Sequence, residues 1–242
     1  MTSPQFVLCI PGTWANRSEF LEQIVRESGG YIFAGGVLMH MESKFGCSLY
    51  FEEIDPRMQQ AFEAASPHWR NTPELDAIST HKSVVYLVGT GGSRHAAESL
   101  MRCAAGVLKA GGLGVKVESA GLAHSPQAWL EYVDDLHLGS ACDALVVYVT
   151  GQQAYSCGMH NLGLPEAMTD NIGHKGSVAL LRTFNRYQFI ESPELFETQT
   201  FAAEVDGPVY VLSQDQGVRY GADSLFENPY GCWRLTGVAA RH

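Results

Sequence analysis

The sequence predicts an α+β fold: a mixed sheet whose N-terminal part follows the ferredoxin-like order β-α-β-β-α-β, with helices packed on the sheet. Three observations predict it. Short apolar runs of strand length alternate with segments whose apolar residues recur at helical spacing. The segment 31–54 indicates a hairpin, which favours α+β over a doubly wound parallel sheet. No repeat of fixed period and no proline-rich linker divides the chain.

The length and composition favour one domain. The chain has 242 residues, of which 45% are hydrophobic and 17% are charged, so it can bury a substantial core and is not intrinsically disordered. We predict a single α+β domain over residues 1–242. Residues 1–92 would form the ferredoxin-like part, and residues 93–242 an elaboration that carries an acidic segment.

The N-terminal elements follow from apolar spacing and from turn residues. Pro11-Gly12 ends the first apolar run, Gly29-Gly30 ends the first helix, and Asp55 and Thr72 are suited to cap the helices that follow them. The predicted elements are a strand at 6–10, a helix at 18–27, strands at 31–41 and 48–54, helices at 57–65 and 73–79, and a strand at 83–88.

The elements after residue 92 are read in the same way. The clearest is an amphipathic helix at 93–110, which Gly111-Gly112 terminates. Its predicted buried face consists of Ala97, Leu100, Met101, Ala104, Val107 and Leu108. The remaining elements are a strand at 115–119, a helix at 126–133, a strand at 144–149, a helix at 177–189, and strands at 209–213 and 233–238.

The charge distribution excludes some classes of partner. The net charge is −10, and residues 117–218 carry 13 acidic and 3 basic side chains. Such a field repels nucleic acid and attracts a basic protein surface. The longest apolar run, Ala144–Val149, is too short to span a membrane, and the first ten residues do not have the pattern of a signal peptide. Six scattered cysteines indicate reduced thiols. We therefore expect a cytoplasmic protein that binds neither nucleic acid nor membrane.

The acidic segment supplies the candidate partner-binding residues. Glu191, Glu194 and Glu197 recur every third residue, which would place them along one side of a helix. Together with Glu204 and Asp206 they could contact the Lys and Arg side chains of a partner. An ordinary solvated helix face would have the same pattern.

Cys157-Gly158-Met159-His160 is the main candidate for chemistry. The thiol and the imidazole could belong to a zinc site, with His174, Glu166 or His124 as further ligands, or could act as a nucleophile and its base. No second Cys-x-x-Cys or His-x-x-x-His pattern supports a metal, and the sequence indicates no third catalytic partner. The surrounding glycines also fit a tight structural loop. We therefore predict no cofactor, no metal and no catalytic residue, with Cys157, His160 and His174 as weak metal candidates.

A second glycine-rich stretch, Gly89–Ser93, lies between a predicted strand and a predicted helix, where backbone amides can hold a phosphate. It lacks the lysine of a P-loop and the third glycine of a dinucleotide fingerprint. A tight turn explains these glycines without a ligand.

Two stretches resemble a known family. Gly111–His124 (GGLGVKVESAGLAH) and Ser156–Glu166 (SCGMHNLGLPE) are similar to an uncharacterised bacterial domain family that is widespread in proteobacteria. The resemblance covers about residues 80–170. Proteins of this kind also occur beside secreted toxins as immunity proteins, including ones that neutralise type VI nuclease effectors. The resemblance implies a cytoplasmic binding protein and assigns no toxin-contact residue.

Three functional hypotheses follow. The first is an immunity protein whose acidic residues bind a basic toxin, a nuclease, in competition with its substrate. The second is a metal- or thiol-dependent hydrolase centred on Cys157 and His160. The third is a non-catalytic oligomeric scaffold, for instance a homodimer formed through an exposed strand edge near the C-terminus.

Overall fold

Two β-sheets with helices packed on them make up the protein in a computed structural model, which describes residues 4–221 and 223–238. The α+β class predicted from the sequence is confirmed. The first sheet contains strands from residues 5–124, and the second contains strands from residues 147–237.

The first sheet has the order β2-β3-β4-β5-β1-β6-β7, and every neighbouring pair is antiparallel. Its strands and the helices between them are β1 Gln5–Gly12, α1 Arg17–Glu27, β2 Tyr31–Ala34, β3 Val37–His40, β4 Gly46–Glu53, α2 Met58–Ala65, α3 Pro73–Ser79, β5 Ser83–Thr90, α4 Arg94–Lys109, β6 Val115–Val117 and β7 Leu122–His124.

The strand order of this sheet departs from the ferredoxin-like order. In that order the first strand would lie between the third and fourth predicted strands, whereas here β5 lies between β1 and β4. The predicted strand at 31–41 is also two strands, because Gly35 and Gly36 both have positive φ and form a hairpin turn. The sheet then continues past residue 92 through β6 and β7.

Both faces of the first sheet are covered. Phe6, Leu8 and Ile10 of β1 pack in the larger core with α1 and α4, and the opposite face packs on α2 and α3 in a smaller core around Phe62 and Trp69. Helix α4 begins at its N-cap Ser93, and all six residues of its predicted apolar face are buried. That prediction is confirmed.

The second sheet has the order β11-β12-β13-β10-β9-β8 and is mixed, because β10 and β13 are parallel. The elements after β7 are α5 Pro126–Asp134, α6 Ser140–Leu145, β8 Val147–Thr150, β9 Gln153–Cys157, β10 Glu166–Asp170, α7 His174–Glu191, β11 Thr200–Ala202, β12 Val209–Asp215 and β13 Cys232–Gly237. Helix α7 packs on one face of this sheet through Leu180, Leu181 and Phe184.

Two predictions for the second half are corrected. The apolar run at 144–149 is not one strand: Ala144 and Leu145 end α6, which is buried on most sides, and β8 begins at Val147. The C-terminal strand β13 lies between β12 and β10, so it presents no free edge. The edges of the second sheet are β11 and β8, so a homodimer that pairs strands of this sheet would have to use one of them.

Candidate functional site

The segment from Cys157 to Glu166 joins β9 to β10 and reaches from the second sheet into the core of the first. It turns at Gly158 (φ 126°), continues as the 3-10 turn Met159–Leu162 and ends at Gly163 (φ 80°). Met159 and Leu162 are buried in the larger core of the first sheet. The segment is therefore the tight loop that its glycines predict.

The carboxylate of Glu166 is buried and accepts three hydrogen bonds. The Ser156 hydroxyl donates to Oε2 at 2.7 Å, while Oε1 accepts from the Gly158 amide at 2.9 Å and from the Asn228 side-chain amide at 3.0 Å. His160 Nδ1 lies 3.4 Å from the same Oε1. Asn228 also donates to the Leu164 carbonyl at 3.0 Å. The carboxylate thus ties the loop to β9 and to the connection between β12 and β13.

The surroundings of Cys157 do not favour a nucleophile. Burial raises the pKa of its thiol to about 12, with a further contribution from the nearby Glu166 carboxylate. A thiol needs to be a thiolate to attack, so this shift acts against catalysis at neutral pH. The cavity that it lines beside Glu166 and Cys232 has a volume of about 20 Å³, which is room for about one water molecule.

The three metal candidates are not brought together. Cys157 and His160 are buried, whereas His174 is exposed at the start of α7, with Nδ1 2.8 Å from the Thr150 hydroxyl. Within residues 4–221 and 223–238, no group of three or more His, Cys, Asp or Glu side chains is placed to hold a metal ion. All six cysteines are free and buried, as their spacing predicts.

The glycine-rich stretch Gly89–Ser93 forms the turn from β5 into α4, and the protein itself uses its amides. The Gly91 amide donates to the Pro4 carbonyl at 2.8 Å, and the Gly92 amide donates to the Asn161 carbonyl at 3.1 Å. A Cβ at Gly163 would overlap the backbone of Gly92. These amides are therefore not free to bind a phosphate, and the turn serves as a contact between the two halves of the chain.

The prediction that Glu191, Glu194 and Glu197 lie along one side of a helix is wrong. Only Glu191 lies in α7, because the helix ends at Ser192, which adopts a left-handed conformation (φ 47°), and Pro193 cannot continue it. Glu194 and Glu197 lie in the irregular segment that follows. All five predicted partner-binding residues, Glu191, Glu194, Glu197, Glu204 and Asp206, are exposed.

The five carboxylates divide into two groups along β11, the edge strand of the second sheet. The Gln214 amide donates to Glu197 at 3.4 Å at one end of the strand, while Glu204 and Asp206 lie in the turn that leads into β12 at the other. Within the stretch from Glu197 to Glu204, Thr200–Ala202 is strand. One partner can contact both groups only if it reaches along this edge of the sheet.

The structure contains a groove near Glu197 that the sequence did not predict. It consists of two cavities, of about 290 Å³ and 280 Å³, that share Pro165 and Trp233. The first cavity lies against the end of α7 and the segment after it. The second cavity lies against the end of β12 and the start of β13. The lining of the groove includes Pro165, Pro193, Leu195, Gln214, Tyr230 and Trp233. Because they come from distant parts of the chain, no spacing in the sequence could have indicated the groove.

A further pocket, of about 270 Å³, contains His68, Trp69, Tyr132 and the buried His124. His124 Nε2 donates to the Ala144 carbonyl at 2.8 Å, and burial lowers the pKa of the imidazole to about 4. The pocket is thus lined at physiological pH by a neutral imidazole. Because the folded protein holds His124 uncharged, its free energy of unfolding depends on pH.

Acidification is expected to destabilise the protein through His124. Between the ordinary histidine pKa of about 6.5 and the folded value of about 4, the unfolded chain binds a proton that the folded chain does not. The contribution of His124 to the free energy of unfolding is complete above pH 6.5 and falls by about 3 kcal/mol as the pH drops to 4. Urea unfolding over this range should show a steeper loss for the wild type than for His124→Gln, which keeps a donor for Ala144. Equal pH slopes for the two proteins would contradict this role.

The comparisons with known proteins leave the family open. No known protein family matches the chain, and neither the curated proteins nor the solved structures compared with it gave a match. The resemblance of the two stretches to a bacterial domain family stays a prediction. No helix in the described ranges has both the length and the apolar character needed to cross a membrane.

Proposed function

We propose that the protein is an immunity protein, located in the cytoplasm, that binds and neutralises a basic secreted toxin of the nuclease class. The observation that carries this proposal is the state of the five carboxylates of Glu191, Glu194, Glu197, Glu204 and Asp206. All are exposed, and none forms a salt bridge with another residue of the described ranges. Between Arg186 and Arg219 the chain has no Lys or Arg that could neutralise them.

The physical argument rests on what a nuclease presents. An enzyme that holds the phosphates of nucleic acid needs Lys and Arg in its binding groove, and exposed carboxylates can occupy the same groove in their place. Complementary charge also speeds the encounter of the two proteins and disfavours partners of the wrong sign. A binding function of this kind requires no catalytic group, which agrees with the inert surroundings of Cys157.

Reversing the five charges is expected to weaken binding by about 100-fold and to slow association most strongly at low salt. The variant Glu191→Lys, Glu194→Lys, Glu197→Lys, Glu204→Lys, Asp206→Lys would serve as bait beside the wild type in a lysate of the source cells. Quantitative mass spectrometry identifies the proteins that the wild type retains and the variant loses. A basic nuclease should be among them, and its toxicity should be suppressed by co-expression of the wild type.

A matched control separates location from total charge. Glu22, Glu27, Glu42, Glu52 and Glu53 are also exposed, and reversing them to Lys changes the net charge by the same amount on the part of the chain that forms the first sheet. This control should bind the nuclease as the wild type does. If the wild type retains no basic toxin, or if both variants lose it to the same extent, the proposed acidic surface is wrong.

A further inference from the structure

The groove has apolar side chains in its lining and three exposed carboxylates beside that lining in the sequence. Glu191 directly precedes the lining residues Ser192 and Pro193, and Glu194 and Glu197 lie on either side of Leu195; we call these three carboxylates the rim. Trp233 is 7% exposed and its small accessible part borders both cavities, with Pro165 beside it. Pro193 and Leu195 border the first cavity, between the rim residues Glu191, Glu194 and Glu197 in the sequence. Gln214 borders the second cavity, and its backbone amide donates a hydrogen bond to the Glu197 carboxylate.

The electrostatics of the rim are unfavourable in the free protein. Helix α7 has 18 residues and ends at Glu191 with no basic residue in its last turn. The C-terminal end of a helix carries partial negative charge, which favours a cation and disfavours a carboxylate. Glu194 and Glu197 follow directly and have no Lys or Arg near them in sequence. A cation placed on this rim would therefore meet the helix end and the carboxylates at once.

The size of the groove limits what can occupy it. The two cavities, of about 290 Å³ and 280 Å³, share Pro165 and Trp233, so an extended segment that lies along the groove can place a side chain in each. Arg and Lys side chains bury their aliphatic stems against apolar surface while their charged ends remain near water or carboxylates. The ring of Tyr230, which lines the second cavity, can add cation–π attraction.

We infer that this groove binds an extended segment of the protein partner in which Lys or Arg residues alternate with apolar residues. The apolar side chains and the basic stems lie on Pro165, Leu195 and Trp233, and the charged ends reach Glu191, Glu194 and Glu197. The inference rests on the proposed function, because the segment belongs to the same basic partner. The inference also narrows the proposed binding surface. The groove and the carboxylates of Glu191, Glu194 and Glu197 bind the partner, and Glu204 and Asp206, at the far end of β11, are not required for binding.

The direct test uses the full chain labelled with ¹⁵N and a short peptide of alternating Arg and Leu. The side-chain N–H of Trp233 reports on the groove, while Trp14, Trp69 and Trp129 are at most 2% exposed and serve as internal references. We expect saturable movement of the Trp233 signal alone. A peptide with Glu in place of Arg should leave it unchanged. Movement of all four signals, or of none, would overturn the inference.

Two variants in the groove test whether the peptide binds there. Gln214 is exposed, and its side chain makes no hydrogen bond within the described residues, so Gln214→Trp should fill the groove and Gln214→Arg should repel a basic segment without unfolding the protein. Each is expected to weaken peptide binding by at least about tenfold. The matched variant Glu204→Lys, Asp206→Lys should bind as the wild type does.

The same variants separate this inference from the proposed function. If both Gln214 variants capture the basic partner as well as the wild type while the five-charge variant loses it, the groove assignment is overturned and the proposed function stands. If no variant changes capture, the proposed function fails as well. A Trp233 signal that moves with protein concentration in the absence of peptide would identify a second copy of this chain as the occupant, and would also overturn the inference.

Discussion

Replacing Gly158 with alanine is expected to destabilise the protein by about 4 kcal/mol, a large part of the stability of an ordinary domain. Gly158 has φ 126°, a conformation that residues with a Cβ rarely adopt. A Cβ there would also overlap the carbonyl oxygen of Leu145, which belongs to α6. Backbone cannot move aside as a flexible side chain can, so the loop and α6 would have to separate.

Replacing Gly158 would disturb contacts in both sheets. Its amide donates to Glu166 at the start of β10, and the turn that follows it buries Met159 and Leu162 in the core of the first sheet. Urea-induced unfolding followed by circular dichroism gives the free energy of unfolding of Gly158→Ala. Gly151→Ala is the control, because Gly151 has no positive φ and the nearest atom to its added Cβ is the Gln153 carbonyl oxygen at 3.9 Å. A Gly158→Ala variant as stable as this control would show that the loop is not held in the described conformation.

The parts of the fold that were predictable are those that local spacing determines. The buried face of α4 follows from six apolar residues at helical spacing between the cap Ser93 and the terminator Gly111-Gly112. The run 144–149 was wrongly predicted as one strand, because a short apolar run fits a buried helix turn as well as a buried strand. Ala144 and Leu145 are strong helix formers, and the residues before them continue the helix.

Strand pairing was not predictable, because the free energy of pairing depends on what covers each face. Strand β5 lies beside β4 because Leu49 of β4 and Leu87 of β5 pair and are both buried in the core with α1 and α4, and no local pattern in either strand indicates this. The break in helical structure between Glu191 and Glu194 was predictable and was missed. The residue before a proline is biased away from helical conformation, so Pro193 already argued against a helix through Glu194 and Glu197.

The candidate sites show the same division between local and distant information. Sequence proximity drew attention to His160 and Glu166, whose Nδ1 and Oε1 atoms lie 3.4 Å apart, but Asn228, which donates to the same Oε1, is far along the chain. Whether a thiol is reactive depends on its burial, which the sequence does not report. The pairing of Pro165 with Trp233 in the groove likewise depends on the parallel contact of β10 and β13.

Replacing Glu166 with leucine is expected to cost about 4 kcal/mol of stability, although the two side chains are similar in size. The substitution leaves the buried Ser156 hydroxyl and the buried Gly158 amide without their acceptor, and it removes one of the two acceptors of the partly buried Asn228 amide. Each buried donor left unpaired costs about 1–3 kcal/mol. The loss of an unfavourably buried carboxylate offsets part of the total. Chemical unfolding of Glu166→Leu measures the result.

The variant Glu166→Gln distinguishes the hydrogen bonds from the charge. Its amide oxygen can take the place of Oε1 and still accept from Gly158 and Asn228, while its amide nitrogen would face Ser156, whose hydroxyl already accepts from the Ala167 amide at 2.9 Å. Only one donor, the Ser156 hydroxyl, then loses its acceptor, so a cost of about 1–2 kcal/mol is expected. If glutamine were as destabilising as leucine, the negative charge itself, rather than the set of donors around it, would hold the loop. If leucine were as stable as the wild type, the carboxylate would have no structural role, and its conspicuous burial beside Cys157 and Cys232 would need a different explanation.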